Sequence, residues 1–350
     1  MPTIAADRLQ TLASAVFQAA GAPRDKADCV AQSLVASDLE GHASHGLLRL
    51  PQYVAAIRGG DLVPNAEPSV VGDRGSTAVV DGNWGFGQVA AERAAQLAAE
   101  RAGRHGLACV AMRRAYHAGR LSDYACIPAQ RGFVALVFLN GHGRSELATP
   151  FGGAARRLST NPICIAVPGE EGSPLVFDAA TTVVSEGKVR VARNRGEVMA
   201  QGCLVDARGR PTTNPNDLYG PPPGALLLMG GEVGYKGFGL SLMTDILAGA
   251  LSDAGCSGSG ERGGNAMVII AVQVTRFLPL GRFREHVRAL CQHVKSAPLA
   301  PGANPILVPG EREMQARQRG LREGIRIDDG TWRQIVEAGE SVGVDVRDFA

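Results

Sequence analysis

At 350 residues the chain is long enough for a sizeable buried core with two or three substructures. Apolar residues make up 45%, charged residues 20% and aromatics 5%, with a net charge of +2, so the composition is that of a soluble globular protein. It offers no basic surface or stacking platform for nucleic acid. No apolar run is long enough for a membrane span, and residues 1 to 10 lack a secretory pattern, so a cytoplasmic protein is expected.

In chain order, residues 7 to 20 carry Leu9, Leu12, Val16 and Phe17 at helical spacing, and Gly21 closes that first helix. A second helix is predicted over 24 to 39, ending at Gly41. Pro51 kinks or opens the next, from about 51 to 58. Residues 77 to 81 read as a short strand, 88 to 105 as an Ala-rich helix and 107 to 112 as a strand. Further strands are predicted over 132 to 140, 161 to 168 and 174 to 178. The nearly continuous apolar run 240 to 251 reads as a helix packed on a sheet. A Gly- and Ser-rich loop (255 to 264) precedes a buried strand over 267 to 272, and helices return at 282 to 295, 311 to 323 and 331 to 342. Strands mixed with helices indicate a layered α/β protein. Helices crowd both termini, so the ends are expected to pack together outside a central sheet. This gives an N-terminal helical segment (1–75), a central mixed-sheet region (76–281) and a C-terminal helical segment (282–350).

The seven cysteines, at 29, 109, 126, 164, 203, 256 and 291, form no C-x-x-C pair. They read as small buried thiols in a reducing compartment, and no metal is expected without clustered ligands.

Ser44-His45-Gly46-Leu47-Leu48-Arg49 is the segment richest in chemistry. If residues 44 to 50 open a helical turn, positions i and i+4 share a face and His45 and Arg49 enter one pocket. The imidazole exchanges a proton near neutral pH, and the guanidinium grips a carboxylate through two parallel bonds. The same residues also fit a surface helix start, with Ser44 as cap and Arg49 solvated. Gly85-Phe86-Gly87-Gln88-Val89-Ala90 superficially matches the phosphate-cradling glycine turn. Its strand is short, and no second strand carries the required acidic residue. Any nicotinamide cofactor is therefore held without a Rossmann fold.

Further segments place glycine and polar residues at strand ends, where sites are commonly built. They are Tyr116-His117-Ala118-Gly119-Arg120, Pro150-Phe151-Gly152-Gly153 with Ser159-Thr160-Asn161-Pro162, Phe177-Asp178-Ala179-Ala180-Thr181-Thr182, Gly234-Tyr235-Lys236-Gly237 and Val308-Pro309-Gly310-Glu311. In this order, from about residue 7 to 345, the motifs resemble the malate/L-lactate dehydrogenase family that lacks the Rossmann fold. Gly202-Cys203-Leu204-Val205-Asp206 and Pro211-Thr212-Thr213-Asn214-Pro215 bring the resemblance close to its broad-specificity hydroxycarboxylate dehydrogenases.

The resemblance implies a three-layer α/β fold of the L-sulfolactate dehydrogenase type, with a mixed central sheet, and an intertwined homodimer. It implies an NAD(P)-dependent 2-hydroxycarboxylate dehydrogenase, or 2-oxo acid reductase, that exchanges hydride between NAD or NADP and C2 of a small 2-hydroxy or 2-oxo acid. By the same resemblance His45 is the proton donor and acceptor, oriented by Ser44; Arg49 holds the substrate carboxylate and Thr160 lines its pocket. His117, Gly119, Arg120 and Leu121 match a cofactor loop, and His117 is alternatively a catalytic contact to substrate. Leu175, Val176, Phe177, Asp178, Ala179, Ala180, Lys236, Gly237, Val308, Pro309, Gly310 and Glu311 match the other cofactor contacts, with Asn265 a further one.

The alternative within the family is ureidoglycolate oxidation or cyclic-imine reduction. The imine reductases carry an Asp that completes a Ser-His-Asp relay at the position of Lys188, and a lysine there disfavours the imidazolium. Lys188 therefore argues for hydroxy-acid chemistry. A hydrolase using Ser44 and His45 is a rival class, but adjacent residues rarely serve one another as nucleophile and base, and no G-x-S-x-G elbow is present. A silent nucleotide-binding protein is the third, and the intact His45/Arg49 pair speaks against it.

Overall fold

A computed structural model describes the chain apart from residues 171, 172, 261 and 350 and the side chains of 347 and 348. With elements numbered in chain order, its centre is a seven-stranded sheet. In spatial order the strands are β2 (Ser69–Arg74), β3 (Thr77–Asp81), β4 (Leu107–Ala115), β11 (Gly264–Gln273), β5 (Phe133–His142), β6 (Ile163–Val167) and β7 (Leu175–Ala179). β3 and β4 pair in parallel and the other neighbours antiparallel, which makes the sheet mixed. The apolar run 267 to 272 lies in β11, between β4 and β5, where both faces are covered for much of its length.

Side chains alternate across a strand, so the two faces of the sheet carry different layers. Val110, Val137 and Ile269 face α4 (Gly87–His105) and α5 (Ser122–Gln130). α4 buries Ala90, Ala91, Ala94, Ala95 and Ala98 completely, and these short side chains let the helix lie close to the strands. It ends at Gly106, whose φ of +86° supplies a left-handed stop. α5 was not expected, because nine residues with Pro128 inside give a weak periodic signal.

The opposite face carries α7 (Tyr235–Asp245), which passes into a π-helical turn over Ile246–Ala250. The helix does pack on β5 and β11, but with its small and polar side: Ser241, Thr244, Asp245, Ala248 and Gly249 are buried. Leu240, Leu242, Met243, Ile246, Leu247 and Leu251 are exposed. The small and polar residues do recur at helical spacing, but a polar stripe ordinarily marks the solvent side, and here it is the side that turns inward.

The termini form the second core. α1 (Ala6–Ala19), α2 (Arg24–Leu39) and α3 (Leu50–Gly59) pack with α10 (Asp329–Glu340), and β1 (Thr3–Ile4) pairs with β12 (Ile325–Arg326). Phe17 contacts Tyr53 and Phe86 with ring centroids 6.1 and 5.7 Å apart. α9 (Glu311–Glu323) lies on α2, while α8 (Leu280–Lys295) buries none of its residues. A small sheet of β10 (Ala225–Leu226), β8 (Leu204–Val205) and β9 (Pro211–Thr212) packs with Val189 of α6 (Glu186–Arg195) in a third apolar cluster. All seven cysteines are free. Cys164 and Cys203 are buried and the other five half-buried, more open than the apolar runs around them implied. Among the described residues no helix is long and apolar enough to cross a membrane.

Candidate active site

The turn after α2 is set by Asp38. Its carboxylate accepts the Leu47 N–H at 2.8 Å, and Gly46 lies so close that a Cβ there would come within 2.1 Å of Oδ1. Gly46 is extended, so residues Ala43–His45 and Leu47–Arg49 form two separate 3-10 turns. The single helical turn expected from spacing is therefore absent. His45 lines a cavity. Arg49 is buried behind it, donating from Nε to the Ser44 carbonyl at 2.8 Å, from Nη1 to Gln52 at 2.8 Å and from Nη2 to Glu186 at 3.0 Å.

Ser44 Oγ lies 3.0 Å from His45 Nδ1, which leaves Nε2 for a substrate. The His45 ring stacks on His117 at 5.7 Å and 15°. Behind His117, Gln88 donates to the Tyr53 hydroxyl at 2.8 Å, and that hydroxyl lies 2.6 Å from His117 Nδ1. The Tyr53 hydroxyl, itself held by Gln88, thus ties down the His117 ring at Nδ1. Burial, then the neighbouring His117 and Arg49, hold the His45 imidazole well below its ordinary range. Burial and Arg49 do the same to His117. Both rings are neutral at pH 7. Glu186 is the counterpart. Burial raises it, but Arg49, Arg190 and the Tyr219 hydroxyl outweigh that and hold it down at about 2.

The cavity measures about 670 Å³ and brings together Ser44, His45 and Thr160 with the loop 119–121 and the strand end 177–180. Thr160 owes its place to strain at Asn161, a non-glycine residue at φ +33°. The Asn161 amide donates to Asp245 at 3.0 Å and to the Ser241 carbonyl at 3.1 Å, while Thr181 N–H donates to the Thr160 carbonyl at 3.0 Å. Three buried bonds of this kind can offset a backbone cost of about 1 to 3 kcal/mol. Gly119 has φ +75°, which turns the loop so that Arg120 and Leu121 reach the cavity. The Asp178 carboxylate accepts the Ser122 N–H at 2.8 Å, and burial pushes its pKa up to about 6.

A second cavity of about 970 Å³ continues from the first, sharing His42, Phe177 and Asp178. Leu175, Val176 and the segment Val308, Pro309, Gly310 and Glu311 line it, with α8 as its far wall. Five of the expected residues line neither cavity. Arg49 and His117 stand behind His45. Asn265 accepts the Ala118 N–H at 2.9 Å and so supports the 117–119 loop from beneath. Gly237 lets α7 approach the Met229 wall, where a Cβ would meet the Met229 carbonyl at 2.1 Å, and Lys236 is exposed. The Gly85 to Ala90 turn lines neither cavity. Gly87 instead serves packing, since a Cβ there would come within 2.3 Å of the Tyr116 carbonyl.

Asp38, His42, Tyr53 and Gln88 escaped the sequence reading as site residues. Each acts through a partner distant in sequence or across a turn, and none belongs to a recognisable motif. Glu186 was visible beside Lys188, but nothing local paired it with Arg49.

A family model described as malate/L-lactate dehydrogenase matches residues 4–336. The chain is 38% identical to an L-lactate dehydrogenase from Cupriavidus necator over 96% of each protein. It is 35% identical to hydroxycarboxylate dehydrogenase B from Escherichia coli, over 97% of this chain and 94% of that one. The structure superimposes on malate dehydrogenase from Pyrococcus horikoshii with a TM-score of 0.87 and 31% identity, covering 98% of this chain and 96% of the other.

Proposed function

Because the chain belongs to the malate/L-lactate dehydrogenase family, we propose that it interconverts a small 2-hydroxy acid and its 2-oxo acid, with His45 moving the proton. It is an oxidoreductase of CH–OH groups, and members of its family depend on a pyridine nucleotide. The observation that carries the reading is the position of His45 and Thr160 in one cavity that opens into a second, dinucleotide-sized cleft.

The residues present fit such a cofactor. Strand end 175–180 runs along the junction of the two cavities, and backbone at 119–121 and 308–311 flanks either side. Arg284 and Arg312 line the larger one with no ion pair among the described residues, and Arg284 Nε is buried without a hydrogen-bond partner. Such guanidinium groups suit phosphate. When bound, a nicotinamide supplies the hydride acceptor or donor. Neutral His45 takes the hydroxyl proton through Nε2, and Ser44 fixes the ring. In reduction, protonated His45 returns that proton to the developing alkoxide. Thr160 borders the reacting centre, and the apolar walls limit water.

The homodimer is part of the same proposal. Its support is the exposed apolar side of α7 together with the exposed Ile165 of β6. The decisive assay follows NADH and NADPH absorbance with pyruvate, oxaloacetate, 2-oxoglutarate and phenylpyruvate. Oxidation of neither cofactor with any acid removes the dehydrogenase reading.

A further inference from the structure

The larger cavity runs in a definite direction. Its junction with the His45 cavity is marked by His42, Phe177 and Asp178, where Asp178 accepts the Ser122 N–H at 2.8 Å. Ser122, Cys126 and Gln130 line it at successive turns of α5, so it extends about 12 Å along that helix. α8 begins at the far end, since a Cβ at Gly132 would lie 3.2 Å from Leu280 Cδ2. Arg284 follows one turn later on the same face and lines the cavity there. With the nicotinamide at His45, the adenosine half of a dinucleotide falls at this end.

Arg284 has no ion pair or hydrogen bond among the described residues, and its Nε is buried without a partner. A buried N–H on a charged group is costly to leave unpaired, and an anionic oxygen satisfies it. Glu170, which lines the same end, is already paired with Arg288, one turn further along α8. A ribose diol is commonly held by a carboxylate that accepts its hydroxyls, whereas a 2′-phosphate is held by an arginine. Of the two, the far end offers the free guanidinium. Arg312, also unpaired among the described residues, stands elsewhere. It lies between Gly310, whose added Cβ would come 3.6 Å from the Val176 nitrogen, and Glu313, which is 3.4 Å from His42. That places Arg312 beside the junction, where a diphosphate would cross.

We propose that Arg284 receives the 2′-phosphate of the adenosine ribose, and that the protein therefore prefers NADP to NAD. The inference rests on the dehydrogenase reading above and names its cofactor.

The test is calorimetric titration of wild type, Arg284→Gln, Arg284→Lys and Arg312→Gln with NADP and with NAD. α8 buries none of its residues, so the Arg284 variants should fold, and a melting curve checks this. Wild type should bind NADP at least about tenfold more tightly than NAD, the scale of one charge-assisted bond. Arg284→Gln should weaken NADP binding about 10- to 100-fold and leave NAD binding within about twofold. Arg284→Lys should recover part of that loss, keeping the charge without the fork. Arg312→Gln should weaken both nucleotides alike. Unchanged NADP affinity in Arg284→Gln overturns the assignment. So does an equal loss for both nucleotides, which would make Arg284 a diphosphate contact, or a loss selective for NADP at Arg312 instead. Wild type that binds NAD as tightly as NADP, or more tightly, overturns the cofactor preference alone. Wild type that binds neither overturns the pyridine-nucleotide reading and this inference with it.

Discussion

In the proposed mechanism His45 serves as a base because it is kept neutral. Burial is the largest cause, with His117 and Arg49 adding repulsion against a proton. The two reaction directions therefore respond differently to pH. Oxidation needs the neutral ring, so its kcat/KM should be flat through neutral pH and fall only well below the ordinary imidazole range. Reduction needs the imidazolium, so its kcat/KM should fall about tenfold per pH unit as pH rises through neutrality. A reduction profile flat from pH 6 to 8, or one that rises, contradicts the role. His45→Ala should lower kcat by about 10² to 10⁴ with cofactor affinity held within tenfold, measured by fluorescence titration. Near-normal turnover would place the proton transfer elsewhere. At this scale the motif S-H-G-x-x-R marked both the imidazole and the guanidinium as candidates, but not the partners that hold them. Arg49 pairs with Glu186, 137 positions away, and no local pattern records such a pair.

Elements meet at this site through missing side chains. Gly46 makes room for the Asp38 carboxylate and Gly187 for Ser44, so α2 and α6 both press on the turn that carries His45. The obstruction at Gly187 is backbone as well as side chain, with the Ser44 carbonyl 2.6 Å from the added Cβ. Gly187→Ala should therefore displace Ser44, lower kcat/KM about tenfold or more and cost about 1 to 3 kcal/mol of stability by overpacking. Gly281→Ala is the control, since nothing lies within 4 Å of a Cβ there. Equal activity and melting temperature in both variants would show that the α6 contact does not position the turn. Helices with a one-sided apolar stripe, α1 and α10 among them, could be placed from sequence within two residues. α6 could not, since its ten residues bury only Glu186, Gly187, Val189 and Ala192.

Taken whole, the single chain leaves an apolar face uncovered. Met243 on α7 and Leu251, just past the π-helical turn, are 57% and 58% exposed, with Leu240 and Ile246 exposed as well. Contiguous apolar surface on one side of a helix marks an interface. The expected partner is a second copy, and sedimentation should give a dimer for wild type. Met243→Asp with Leu251→Asp should shift it towards monomer, because two buried charges have no partners across such a face. Monomeric wild type at micromolar concentration would sink the proposal.

Order, spacing and residue type along the chain were enough to determine the α/β class, most element positions, the lack of a Rossmann fingerprint and the choice of His45 and Thr160 as candidates, which the fold brings to one cavity. Those properties are local, set by periodicity, turn chemistry and motif. Tertiary structure alone decided which side of α7 faces out, that Arg49 is engaged by Glu186, and that Asp38 shapes the reacting turn. Each depends on groups distant in sequence competing for the same charge or volume, and the winner is settled only when the chain has folded around them.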